Sequence, residues 1–217
     1  MKEGRISNYE QNCIDWRNRF LAMDHARLMQ FLPELRREGE EICLRHFGRE
    51  YRVDCTTGYI REAESGREPD FTTQLNIYTL FGFVQPGAKL LGDWVNFAGL
   101  RGTAPFDPAY RKGVLRPLAQ TFSGHLPALE RAAEALGALK LGYGDLSFQL
   151  PAFDCIPLRF LFWEGDEEFP AQANILFDRS ATDFIHPEST VSIAMAGLFA
   201  LAEAAGLPVL GRGFSME

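Results

Sequence analysis

Four carboxylates lie within five residues of the chain, at Glu164, Asp166, Glu167 and Glu168. Such a cluster could supply oxygen ligands to a hard divalent cation, or hold two carboxyl groups for acid-base chemistry. It lacks the alternating ligand spacing and the distal glutamate of an EF-hand loop. Charged residues at the tip of a hairpin also keep strand edges soluble, so a solvated tip is the simpler interpretation.

Four more ligand-type residues follow within 11 positions: Asp178, Asp183, His186 and Glu188. They could bind a metal or carry protons only if the fold brought them to one point. Structural roles explain them as simply, since Glu188 suits the positive end of a helix that starts near Pro187. The sequence therefore assigns no metal, and the candidates that stay open are Asp166, Glu167, Glu168, Asp183 and His186.

Aromatic residues near the acidic tip indicate a different kind of chemistry, the binding of a flat ligand. Most of them, including Phe160 and Phe177, fit ordinary core packing. Trp163 differs, because it is predicted to lie beside Gln172 on a face where polar groups could anchor a ligand. The predicted ligand-binding set is Trp94, Arg159, Trp163, Gln172, Asn174 and Asp178.

A hairpin over residues 157 to 178 must position these side chains. If Glu164 faces Ala171 across a loop from Gly165 to Pro170, the two-residue period of a strand sorts the side chains onto two faces. The core-facing set is Leu158, Phe160, Phe162, Ala173, Ile175 and Phe177. The mixed set is Arg159, Leu161, Trp163, Gln172, Asn174, Leu176 and Asp178. The diagonal between neighbouring strands predicts an ion pair of Arg159 with Asp178.

Residues 40 to 62 show the same two-residue period, with a tight turn predicted at Gly48 and Arg49. This turn places three residues of one strand opposite three of the next: Ile42 opposite Cys55, Leu44 opposite Val53, and His46 opposite Tyr51. Cys43 and Cys55 then point to opposite faces, so we expect no disulfide between them. A third strand is expected over residues 58 to 62.

Helical patterns surround these strands. A helix over residues 8 to 32 is predicted to end near Pro33, with His25 packed on its face. Asp70 is a predicted N-cap for a buried helix that continues to residue 83. Helical patterning returns from about residue 108 to residue 139, with a break near Gly124. A final apolar helix is predicted from near Pro187 to a stop at Gly206.

Residues 85 to 110 contain many glycines and prolines, which predicts an irregular segment. Trp94, Phe97 and Leu100 are the expected anchors of this segment. Irregular segments between ordered elements often build binding pockets, so residues 92 to 108 are a candidate pocket wall.

The elements together predict an α+β fold, with antiparallel sheets built from two strand meanders and covered by helices that include the apolar C-terminal helix. Strands that arrive in clusters argue against a doubly wound sheet. Without a repeat or a long linker, residues 1 to 217 are expected to form one domain. Whether residues 1 to 33 belong to its body or form an appendage stays open.

Composition excludes several functional classes. A formal net charge of -7 and a pI near 5.2 disfavour binding to nucleic acid or to an anionic membrane surface. No apolar run approaches the about 18 residues that cross a bilayer, and the polar start lacks the core of a secretion signal, so a cytoplasmic location is expected. The cysteines, Cys13, Cys43, Cys55 and Cys155, are scattered and are expected to be reduced thiols.

One stretch carries a more specific order: a tryptophan, an acidic turn, Glu-Phe-Pro and Leu-Phe-Asp. The residues in this order are Trp163, Asp166, Glu168, Phe169, Pro170, Leu176, Phe177 and Asp178. With WVNFAGLRG at 94 to 102 and the apolar terminal helix, the chain resembles domain-of-unknown-function family 3786 over about residues 35 to 208.

The resemblance implies a setting rather than an activity. Members of the family are seen mostly in anaerobic bacteria and archaea, and some relatives are fused to a four-cysteine iron-sulfur domain similar to that of corrinoid proteins. This chain has no such cysteine set, so a shared role would require electrons or a cofactor from a partner. The family has no established activity to carry over.

Three functions remain as hypotheses, because the common motifs for nucleophilic, zinc, phosphate and dinucleotide chemistry are absent. The first is a non-catalytic cytoplasmic ligand-binding or accessory protein of anaerobic, corrinoid-linked or iron-sulfur-linked metabolism, with the Trp163 face as its site. The second is a metal-assisted hydrolase that uses the clustered carboxylates. The third is a protein-interaction subunit. The expected partner is a small molecule or a protein, while the cofactor and the oligomeric state stay open.

Overall fold

The computed structural model describes residues 8–211, and its architecture is α+β, as predicted. The helices are α1 (Asn8–Leu21), α2 (His25–Phe31), α3 (Phe71–Phe83), α4 (Asp107–Tyr110), α5 (Arg116–Phe122), α6 (Leu126–Ala135), α7 (Ala181–Phe184) and α8 (Ser189–Ala205). The strands are β1 (Arg36–Glu38), β2 (Glu41–His46), β3 (Arg49–Asp54), β4 (Ile60–Glu62), β5 (Trp94–Asn96), β6 (Leu139–Leu141), β7 (Leu146–Phe153), β8 (Ile156–Trp163) and β9 (Gln172–Asp178). Short 3-10 turns at Phe97–Gly99 and Ala104–Phe106 and a π-helical stretch at Arg111–Leu115 complete the path.

The strands form two antiparallel sheets. The first sheet has the order β1-β2-β3-β4 and the second has the order β5-β9-β8-β7-β6. In the second sheet, Phe160 pairs with Ile175 and Trp163 pairs with Gln172, which is the predicted register of the hairpin. The predicted faces are therefore confirmed: Leu158, Phe160, Phe162, Ile175 and Phe177 are buried in the core.

The first hairpin has a different register from the predicted one. Ile42 pairs with Val53 and His46 pairs with Arg49, so the partners are displaced by two residues. The turn is formed by Phe47 and Gly48, and both have a positive φ, as a type I′ turn requires. A shift of two residues preserves the faces, so His46 and Tyr51 still lie on one side of the sheet.

The helices follow the predicted pattern with one correction. The N-terminal helix ends at Leu21, and Asp24 caps a separate α2 by accepting a hydrogen bond from the Arg27 amide at 3.1 Å. Asp70 caps α3 as predicted, because its Oδ1 accepts from the Thr73 amide at 2.8 Å. α8 ends at Gly206, which is left-handed.

α8 packs on the apolar face of the hairpin, as predicted. A Cβ added at Gly197 would lie 2.8 Å from Cζ of Phe160 and 2.9 Å from Cζ of Phe47. The helix therefore contacts the second sheet through Phe160 and the turn of the first sheet through Phe47. Only a residue without a side chain permits this close approach.

The segment from residue 85 to residue 110 is largely irregular, but Trp94–Asn96 forms an edge strand that pairs with β9. Sequence reasoning missed this strand because glycines and prolines dominate the segment. Phe97 and Leu100 are buried anchors, as predicted. No helix between residues 8 and 211 combines the length and the hydropathy that crossing a bilayer requires.

Candidate ligand-binding site

The six residues of the predicted ligand set belong to the outer face of the second sheet, and the structure brings two of them into direct contact. The guanidinium carbon of Arg159 lies 3.7 Å from the centroid of the Trp94 ring. The Nε of Arg159 also donates a hydrogen bond to Oε1 of Gln149 at 3.1 Å. Arg159 is therefore held by a cation-π contact and an amide.

The predicted ion pair of Arg159 with Asp178 is wrong. Asp178 is buried, and its carboxylate accepts hydrogen bonds from the Leu91 and Gly92 amides at 3.1 and 2.6 Å. The Ser180 amide and hydroxyl donate to it at 3.0 and 2.6 Å. Burial raises the pKa of Asp178, but these hydrogen bonds outweigh it and hold the pKa below the usual value. Asp178 thus has four neutral donors in place of a cation.

The other three residues of the set lie toward the far end of the same hairpin. Trp163 is 38% exposed and pairs with exposed Gln172. Asn174 is half-buried, and its Oδ1 accepts from the Ile175 amide at 2.9 Å. The exposed end at Trp163 is therefore separate from the Arg159 and Trp94 contact.

Two carboxylates of the acidic tip, those of Asp166 and Glu164, accept hydrogen bonds from the backbone, while Glu167 and Glu168 are exposed. Asp166 accepts from the amides of Phe169 and Glu168 at 2.7 and 2.8 Å, and these bonds lower its pKa. Glu164 accepts from the Gly124 amide at 3.1 Å. Oδ1 of Asp166 and Oε1 of Glu164 are thus engaged by the backbone.

The second cluster of candidate ligands is divided among separate contacts. Asp183 pairs with Arg101 at 2.9 Å, and the His186 ring lies 5.0 Å from the Phe83 ring. Within the part of the chain that the structure describes, no group of three or more His, Cys, Asp or Glu side chains could hold a metal ion.

A cavity of about 550 Å³ lies between the first hairpin, the segment that leads into α3, and α8. We call it the hairpin cavity. Its charged lining residues are Arg49, Glu62, Arg67, Glu68, Asp70 and Glu203. Its other principal lining residues are His46, Phe47, Tyr51, Thr72, Thr73 and Phe199. Sequence reasoning placed none of these residues in a site.

His46 is the most unusual member of the lining. It is 3% exposed, and its Nδ1 donates a hydrogen bond to the Ala152 carbonyl at 2.8 Å. Because the carbonyl only accepts, Nε2 carries the lone pair and faces the Asn76 amide nitrogen at 3.4 Å. Burial lowers the pKa of His46 to about 4, so the imidazole is neutral near pH 7.

A polar chain continues behind His46. Ser192 on α8 donates to Oδ1 of Asn76 at 2.8 Å, which orients the Asn76 amide group toward the imidazole. The His46 ring also stacks on Phe153, with centroids 4.4 Å apart. His46 therefore joins β2, α3 and β7, and it forms a rigid, uncharged part of the cavity wall.

The charged groups of the cavity include an ion pair. Arg49 binds Glu203 at 2.8 Å and lies 3.9 Å from Glu62. Burial raises the pKa of Tyr51, so its hydroxyl is protonated and can donate or accept a hydrogen bond. The arrangement can bind a small molecule that has both polar and apolar parts.

The one signal in the sequence for this site is a histidine in a buried strand position, between Leu44 and Phe47. A buried polar residue needs a hydrogen-bonding partner, and that need indicates a polar neighbour from elsewhere in the chain. This signal could not have identified α8 as the opposite wall of the cavity.

Comparison with known proteins adds one family. A model described as "Domain of unknown function (DUF3786)" matches residues 31–198. The chain belongs to this family. The matched region contains the β2–β3 hairpin and the start of α3, which line the hairpin cavity. The lining residues of α8 from Phe199 onward lie after the matched region. Searches of curated proteins and of solved structures found no match.

Proposed function

We propose that this DUF3786 protein is a non-catalytic ligand-binding protein that holds a small polar molecule in the hairpin cavity. The observation that carries the proposal is a cavity of about 550 Å³ with neutral, buried His46 in its wall and charged residues of both signs in its lining. Small-molecule sites typically have volumes of roughly 300 to 1,000 Å³ and a few fixed polar groups.

A binding function is favoured over a catalytic one, because His46, the best candidate for an acid-base group, already uses its ring nitrogens in hydrogen bonds within the protein. Both nitrogens of His46 have partners, Ala152 and Asn76. A general base must be able to reach the proton that it abstracts. His46 is better suited to maintaining the shape and the neutral charge of the cavity wall.

The family resemblance supports a finer proposal, in which the ligand belongs to anaerobic metabolism that is linked to corrinoids or iron-sulfur clusters. The four cysteines are free, and within residues 8–211 they form no metal-holding group. An iron-sulfur cluster would therefore come from a partner protein.

Native mass spectrometry of the full chain, purified without oxygen, tests the proposal. We expect a retained small molecule, or binding of one member of a panel that contains flavin mononucleotide, a corrinoid and a tetrapyrrole. Ala200→Phe should abolish this binding, because Ala200 lines the cavity. Ala204→Phe is the matched control, since Ala204 is exposed on the same helix and does not line the cavity. Equal binding by wild type and Ala200→Phe would show that the ligand does not bind in this cavity.

A second candidate site is the outer face predicted from the sequence. Its supporting observation is that Trp163 is 38% exposed beside exposed Gln172. If the ligand stacks there, Trp163→Ala should abolish binding and Ala200→Phe should leave it unchanged. The two variants therefore distinguish the two sites in one mass spectrometry experiment.

A further inference from the structure

A second cavity, of about 640 Å³, shares Glu68 and Asp70 with the hairpin cavity. Its walls come from α1, the turn before β4, and the start of α3. We call it the N-terminal cavity. Because α1 lies before residue 31, this cavity includes residues outside the family match. The N-terminal cavity therefore has one wall, α1, that the site of the proposed function lacks, while the two cavities meet at Glu68, Pro69 and Asp70.

Aromatic side chains and an internal cation meet in the N-terminal cavity. The guanidinium carbon of Arg17 lies 4.3 Å from the centroid of the Tyr59 ring, and Tyr59 is 53% exposed. Phe71 is 42% exposed, and buried Tyr78 donates its hydroxyl to the Gly58 carbonyl at 2.6 Å. The Tyr59 ring thus already stabilises a cation from within the protein.

The charge of the lining favours a second cation. Among the described residues, the lining contains the carboxylates of Glu68 and Asp70 and one guanidinium, that of Arg17. Within residues 8–211, no ion pair involves Glu68. Burial and the nearby Glu68 raise the pKa of the Cys13 thiol to about 11, so this thiol remains neutral near pH 7. Among these described side chains, negative charges therefore outnumber positive charges.

We propose that the N-terminal cavity binds an organic ammonium ion, which takes the position of Arg17 over the Tyr59 ring. Aromatic rings with nearby carboxylates recognise such cations through the ring quadrupole and through charge. Arg17 occupies the position when no ligand is bound, so Arg17 and the ligand compete for it.

Calorimetric titration of the full chain at low salt tests this proposal with two probes of the same shape. Choline carries the positive charge, and 3,3-dimethylbutan-1-ol is its neutral counterpart. We expect choline to bind at least about tenfold more tightly than the alcohol. Equal affinities, or no binding of choline by the folded protein, would overturn the proposal.

One variant tests the position of the ligand, and a second tests the role of charge, since Glu68 lines both cavities. Arg17→Ala removes the competing cation and should strengthen choline binding by at least about threefold, as expected for loss of an internal competitor. Glu68→Gln should weaken it several-fold, while Glu64→Gln, exposed and outside the cavity, should leave it unchanged. Unfolding curves confirm that each variant is folded. Weaker choline binding by folded Arg17→Ala would contradict the competition.

Discussion

Two buried ionisable residues lie at strand ends, Asp178 at the end of β9 and His46 at the end of β2. One of them is charged near pH 7 and the other is neutral. Asp178 stays charged, because four hydrogen bonds from neutral donors hold its pKa below the usual value. His46 is kept neutral, because burial lowers its pKa to about 4 and its partners are a carbonyl and an amide.

The difference shows how each region is assembled. The donors to Asp178 hold the loop at Leu91 and Gly92 against β9, so the carboxylate stabilises a loop. The partners of His46 hold the two sheets and α3 together beside a cavity. We therefore expect changes at Asp178 to affect stability alone, and changes around His46 to affect stability and ligand binding.

The largest expected effect is from Asp178→Ala. The substitution leaves the buried amide and hydroxyl of Ser180, and the amides of Leu91 and Gly92, without an acceptor, and we expect the free energy of unfolding to fall by about 3 to 5 kcal/mol. Urea denaturation measures it. Asp183→Ala is the control, because Asp183 forms an exposed ion pair with Arg101 and should cost less than about 1 kcal/mol. A similar loss in both variants would contradict the role given to Asp178.

The second effect is a dependence of the free energy of unfolding on pH, which we expect to come from His46. The unfolded chain protonates this histidine near pH 6.5, whereas the folded state does so only near pH 4. The free energy of unfolding should therefore fall as the pH falls between these values, by up to about 3 kcal/mol.

Denaturation curves at pH 7 and pH 4.5 measure the loss, and His46→Gln, which cannot titrate, should show a smaller one. Carboxylates with lowered pKa values, such as Asp178, lose their contribution only below pH 3.8 and so act in a separate range. The same pH dependence in wild type and His46→Gln would show that His46 is not its source.

A third, smaller effect on stability is expected from Gly197→Ala, in the region around His46. The new methyl group would lie within 3.0 Å of Phe160 and Phe47, so we expect a loss of about 1 to 3 kcal/mol from overpacking. Gly113→Ala is the control, because its methyl group would meet only Met195 Cε, at 3.8 Å. Thermal unfolding of both variants makes the comparison, and equal melting temperatures would contradict the close packing of α8.

The smallest effect is expected at Arg159, on the side of Asp178. Its cation-π contact with Trp94 is half-buried, so a double-mutant cycle with Arg159→Met and Trp94→Leu should give a coupling of about 0.5 to 1 kcal/mol. Arg159→Met paired with Asp178→Asn should give a coupling near zero, since no ion pair joins them. A larger coupling with Asp178 would restore the ion pair predicted from the sequence.

The hairpins show how far sequence reasoning reached. For β8 and β9, the alternation of apolar residues and the loop from Gly165 to Pro170 were sufficient to predict the register. In the first hairpin, Phe47 has a φ of 46°, which few residues other than glycine adopt. Its amide bonds to the Ala152 carbonyl at 3.1 Å, and this long-range contact favours a turn that local preferences do not predict.

The candidate sites differ in the same way. Sequence periodicity correctly placed Arg159 and Trp163 on one mixed face of the β8–β9 hairpin. It missed strand β5, which carries Trp94. The hairpin cavity escaped prediction because its walls are far apart in the chain, at residues 46 to 51, 62 to 73 and 196 to 203.

Local patterns in the chain determined the α+β class, the faces of the strands, the Asp70 cap and the end of the last helix, because these depend on side-chain periodicity and on interactions within a few residues. Tertiary structure decided the turn at Phe47, the partners of Asp178, the neutrality of His46 and the two cavities. Each of these depends on which distant groups remove water from a side chain and which replace its hydrogen bonds, and neither is encoded in a local pattern.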